Sequence, residues 1–75
     1  MPRLPNLKSR QVISALQKAG FYIDRQKGSH VQMRRQDRPG VITVPNHPGA
    51  DVKKGILNSI IAASGLSVED FLALL

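Results

Sequence analysis

Cysteine and tryptophan are absent from these 75 residues, and acidic side chains are few. Without thiols there can be no disulfide staple, no thiolate metal site and no cysteine nucleophile, and the chain suits a reducing compartment. Phe21, Tyr22 and Phe71 are the only aromatics, too few for a sheet platform that stacks several bases. No apolar run approaches the roughly 20 residues that cross a bilayer as a helix, and the N-terminus lacks the apolar stretch of a secretory signal. A soluble, cytoplasmic protein with no membrane partner is expected. Against 5 Asp plus Glu stand 11 Lys plus Arg, a formal charge of +6. Such an excess points to polyanions: nucleic acid first, an acidic protein second. An anionic membrane comes third, because no helix sets a basic face against bulky aromatics.

What is present is periodic. Hydrophobic residues make up 41% of the chain, a globular composition near the size limit at which one core supports folding. One domain over 1–75 is expected, with 1–5 an extended arm bracketed by Pro2 and Pro5. Asn6 or Ser9 can cap a first helix whose Val12, Ala15, Leu16 and Ala19 recur at spacings of three and four, and Gly20 stops it. Residues 21–26 alternate as a strand, with Phe21, Ile23 and Arg25 on one face and Tyr22, Asp24 and Gln26 on the other. A second strand over 30–36 sets Val31 and Met33 against His30, Gln32 and Arg34. Asp37-Arg38-Pro39-Gly40 reads as the hairpin connection to a third strand over 41–44, cut off by Pro45. Asp51 can cap a second helix with a stripe of Val52, Ile56, Ile60 and Ala63, widened by Leu57 and Ile61, and Gly65 ends it. Ser67-Val68-Glu69-Asp70 resembles a capping box opening a short last helix, with Phe71 and Leu74 or Leu75 reaching back to the core. The expected fold is α+β: α-β-β-β-α with a short extra C-terminal helix, and helices on one face of a three-stranded antiparallel sheet.

Chemistry concentrates at Lys27-Gly28-Ser29-His30. Glycine gives the turn the backbone freedom it needs, so Ser29 presents a hydroxyl and amides and His30 starts the next strand in a fixed orientation. On the sheet face left open, an imidazole among cations suits an RNA-cleaving or phosphate-gripping site. His47 sits in the Pro45-Asn46-His47-Pro48-Gly49 loop, where it either bonds its own loop or touches substrate. Lys53 and Lys54 fall in the first turn of the second helix, where a bound anion would relieve their conflict with the helix dipole; solvated lysines are the plain alternative. Gly55 inside a helical pattern implies close packing there or backbone approach by a partner, packing being the simpler reason. Arg34, Arg35 and Arg38 can equally serve to keep a hairpin soluble.

Several landmarks in order carry a resemblance. They are Val12-Ile13 to Leu16 leading into Gly20-Phe21, then Gly28-Ser29-His30, Thr43-Val44-Pro45 followed by His47, Lys54-Gly55 with Ser59-Ile60, and Gly65-Leu66-Ser67 before Phe71. Over nearly its full length the chain resembles HicA-type toxins, the mRNA interferases of bacterial and archaeal toxin–antitoxin pairs. It departs from their pattern at Ile56, where many relatives carry a hydroxyl residue. The resemblance implies a fold like that of double-stranded-RNA-binding domains and mRNA cleavage without metal or cofactor. It also implies dependence on His30 and a HicB-type antitoxin that covers the site.

RNA carries its own nucleophile, the 2′-hydroxyl, so cleavage requires a base, cations for the phosphorane and aligned geometry. His30 is the candidate base, Lys27 the neighbouring cation, and Gly28-Ser29 a donor of backbone amides and a hydroxyl to phosphate. Arg34 is an electrostatic partner further along the face, and His47, Lys53 and Lys54 are further RNA contacts. The leaving-group acid is open among Lys27, water and His47. Two other classes fit the composition. One is a non-catalytic RNA-binding module, which would shift RNA without shortening it; the other is an interaction subunit for an acidic protein.

Overall fold

The computed structural model describes residues 3–75. Of the expected arm, Met1 and Pro2 lie outside the described residues, and residues 3–5 carry no regular structure. Six elements follow: α1 (Ser9–Lys18), β1 (Tyr22–Lys27), β2 (His30–Arg35), β3 (Arg38–Pro45), α2 (Lys54–Ser64) and α3 (Val68–Ala73). The strands pair antiparallel in the order β1-β2-β3. This is an α+β fold of the double-stranded-RNA-binding-domain type. Val31 and Met33 of β2 and Ile42 and Val44 of β3 turn one face of the sheet toward Val12, Leu16, Leu57, Ile60 and Phe71, all buried. Of the two C-terminal leucines it is Leu74 that packs on this core, while Leu75 is exposed. Among the described residues no helix is long and apolar enough to cross a membrane.

Both long helices start where neither expected cap lies. The residue preceding α1 is Lys8, whose backbone N–H donates to Gln11 Oε1 at 2.8 Å, so one orphan donor is satisfied from inside the first turn. Asn6 lies upstream, and Ser9 is buried within the helix. Lys53, not Asp51, precedes α2. The chain stays extended through Val52 because its N–H donates to Leu7 O at 2.8 Å, which delays the helix. The buried row of α2 is Leu57, Ile60, Ile61 and Ser64, whereas Ile56 and Ala63 of the expected stripe are exposed. Two helical rows meet at Ile60, and packing took the one that also buries Leu57 and Ile61. Ser67 does cap α3, accepting from the Asp70 N–H at 3.0 Å.

The sheet departs from expectation at β1 and at the second turn. No residue of β1 is buried, and Ile23 remains 45% exposed. The helices pack over β3 and the adjoining strand, leaving β1 as an uncovered edge. A register shift between Ile23 and Arg25 also makes Asp24 a bulge. Beyond that bulge the faces exchange. Arg25 pairs with Gln32 and Lys27 with His30, so both cations share the open face, while Gln26 pairs with the inward-facing Val31. The β2–β3 turn is Gln36-Asp37, and Pro39 and Gly40 belong to β3. Pro39 is tolerated there because β3 is the other edge.

Candidate functional site

The hairpin between β1 and β2 turns on two residues, Gly28 and Ser29. Gly28 has φ 59° and among the described residues no non-glycine residue, Ser29 included, has a positive φ, which is the II′ pattern that matches strand twist. Lys27 and His30 therefore form the closing pair of β1 and β2, and His30 also pairs with Pro45 of β3. Alternation along β2 buries Val31 and leaves His30 exposed on the opposite face. Residue type at the turn thus fixes where the imidazole stands.

The loop after β3 completes the site, and α1 holds that loop in place. The Asn46 N–H donates to Ser29 O at 2.6 Å, joining the loop to the turn that launches His30. His47 O accepts from the Ala50 N–H at 3.0 Å, and Gly49 has φ 81°. With Pro48 before it, this is a type II turn, whose third position requires the left-handed conformation. Lys8 Nζ donates to Asp51 Oδ1 at 2.7 Å and to Gly49 O at 3.1 Å. The Ser9 hydroxyl donates to Pro45 O at 2.7 Å. The result is a groove of about 360 Å³ lined by His30, His47, Lys53, Ser9, Asp51 and Ile56.

The two histidines, 17 positions apart in sequence, share one groove, and neither ring hydrogen-bonds to any described residue. The loop-bonding role open to His47 is not the one its side chain adopts. Lys53 lines the same groove. Lys54 does not: its ammonium donates to Leu4 O at 2.6 Å and fastens the segment before α1. Arg34 lies on the His30 face but pairs with Asp24 at 3.2 Å, a surface contact worth about 0–1 kcal/mol that a phosphate can displace. Arg35 stacks over Phe21 at 5.0 Å and donates to Asp37 and Ala19 O, and Arg38 Nη2 donates to Ala63 O at 3.3 Å. Both hold helix ends to the sheet. A side chain added at Gly55 would meet nothing within 4 Å, so close packing is not why glycine stands there.

Sequence reading missed three supports of the site: Ser9, Lys8 and Asp51. Ser9 and Asp51 looked like helix caps, and the Lys8–Asp51 contact joins residues far apart in the chain. Among the described residues no three His, Cys, Asp or Glu side chains are grouped as metal ligands. The groove can accept a proton at one imidazole, donate one from the other and set an ammonium against a phosphate.

The family model described as the HicA toxin of bacterial toxin–antitoxin systems matches residues 9–66. The chain belongs to the HicA toxin family. Among curated proteins none matches it. The matched HicA span runs from Ser9 to Leu66, and so includes every residue of the groove while omitting α3. As a HicA toxin, the protein is one half of a toxin–antitoxin pair and has an antitoxin partner.

Proposed function

We propose that this HicA toxin is a metal-independent endoribonuclease acting on cytoplasmic mRNA, with His30 as general base. The observation that carries this reading is the exposed, uncommitted His30 ring, set beside Lys27 on a face that also carries Arg25. His30 takes the proton of a ribose 2′-hydroxyl, and the oxygen attacks the adjacent phosphorus. The products are a 2′,3′-cyclic phosphate and a 5′-hydroxyl. Lys27 and the Gly28-Ser29 turn offset the charge gained by the phosphorane, and Lys53 and His47 contact the strand from the other wall of the groove. Arg34 exchanges Asp24 for a phosphate. Lys54, occupied by Leu4 O, contributes through the fold. A HicB-type antitoxin covers the His30 groove and so blocks access to RNA.

His30→Ala removes the base without disturbing the core, since the ring is exposed and unbonded. Incubation of single-stranded RNA in EDTA is expected to give cyclic phosphate ends with the wild type and at least ~100-fold less product with the variant. Circular dichroism and antitoxin binding should be retained. Undiminished cleavage by the variant, or a strict need for added metal, would overturn the proposal. Retarded but intact RNA with the wild type would favour a non-catalytic binding module instead.

A further inference from the structure

We infer that His47 is the general acid that protonates the leaving 5′-oxygen, so that cleavage runs on an acid–base pair of histidines. This deepens the proposed function and rests on His30 acting as the base. Three observations carry it. His47 lines the groove that holds His30, and its ring is exposed and forms no hydrogen bond with the described residues. The loop bearing it is held from four sides: by Asn46 N–H on Ser29 O, by the Ser9 hydroxyl on Pro45 O, by Lys8 on Asp51, and by Val52 N–H on Leu7 O. A loop held this firmly, presenting an unbonded imidazole in the groove that holds a second one, is costly to order unless the ring has a use.

In-line displacement gives the arrangement its chemical sense. The attacking 2′-oxygen and the departing 5′-oxygen lie on opposite sides of the phosphorus, so one group cannot serve both in a single step. The O2′–P bond forms as the 2′-proton passes to His30, and the P–O5′ bond breaks as His47 gives a proton to O5′. His30 ends protonated and His47 neutral, and proton exchange with solvent after the cyclic phosphate leaves restores both. The rival donors fit less well. The closing register pair places Lys27 beside His30 on the attacking side. Lys53 sets a compact charge against the phosphate, and an alkylammonium is by its chemistry a weaker acid than an imidazolium. The charged groups around His47 are Lys8 just before α1, Arg10 in its first turn, Asp51 and Lys53 from the approach to α2, and His30 from β2. Asp51 is bound to Lys8, so the imidazole is the proton donor placed in the groove.

A substrate that needs no acid separates this role from a structural one. An RNA oligonucleotide with a single 5′-bridging sulfur has a leaving group that departs as thiolate without protonation. On ordinary RNA His47→Gln is expected to cleave about 100-fold or more slowly than the wild type. On the sulfur-bridged RNA it should come within a few-fold of the wild type, whereas His30→Ala fails on both. Wild-type activity of His47→Gln on ordinary RNA, or an equal defect on both substrates, would overturn the inference while leaving His30 as base. Activity of His30→Ala on ordinary RNA would instead remove the reading beneath it. Circular dichroism of each variant establishes that the fold is retained.

Discussion

At the residue scale, Ser9 shows how a side chain serves a site it never enters by chemistry. Its hydroxyl is buried and spends its hydrogen bond on Pro45 O, 36 positions away, at the root of the His47 loop. Ser9→Ala leaves that carbonyl without its donor, so a loss of about 1 kcal/mol is expected in urea denaturation. If His47 is the proposed acid, cleavage should fall further than stability does, because a shift of the loop would misplace its ring. Equal rates for Ser9→Ala and wild type would show that the loop holds without this bond. From the sequence alone Ser9 is indistinguishable from a helix cap, since caps and buried hydroxyls draw on the same residue types. His30 was legible for the opposite reason: a two-residue turn and strand alternation fix it locally, without long-range contacts.

At the scale of elements, periodicity identified every helix and strand but not always which face is covered. The 21–26 segment alternates as a strand should, yet Ile23 stays exposed because no helix lies over β1 and Asp24 bulges out of register. Met33, paired with Ile23 across the sheet, is completely buried. Met33→Ala should therefore cost about 2–5 kcal/mol. Ile23→Ala should cost within about 0.5 kcal/mol, the range for surface substitutions. Thermal denaturation of the two variants side by side checks the assignment, and a large loss at Ile23 would mean that a helix covers β1 after all. The same ambiguity affected α2, where two apolar rows cross at Ile60 and only docking on the sheet selected Leu57 and Ile61 over Ile56 and Ala63. The bulge also brings Arg25 to the open face in place of Gln26.

For the whole molecule, net charge alone overstates the interface. Lys8, Lys18, Arg34, Arg35, Arg38 and Lys54 are engaged in ion pairs or in hydrogen bonds to backbone carbonyls. Around His30 this leaves Arg25, Lys27 and Lys53 without a side-chain partner among the described residues. With Arg34, which gives up Asp24 for a phosphate in the proposed complex, four phosphate contacts correspond to a slope of about −3 for log affinity against log salt on single-stranded RNA. Fluorescence anisotropy with the His30→Ala protein, expected to leave the RNA intact, measures it. Arg25→Ala should flatten the slope by about 0.7, whereas Arg38→Ala should leave it unchanged and lower the stability instead. A slope near −5 would mean that the other engaged cations also release their partners to RNA. The sequence by itself determined the element order, the turn that presents His30 and the cationic excess, because each follows from composition or from spacing within a few residues. Tertiary structure alone decided that His47 and Lys53 join His30 in one groove, that Lys54 does not, and which cations have no side-chain partner among the described residues. Those outcomes depend on contacts between distant segments, through Ser9, Lys8 and Asp51, which no local pattern encodes.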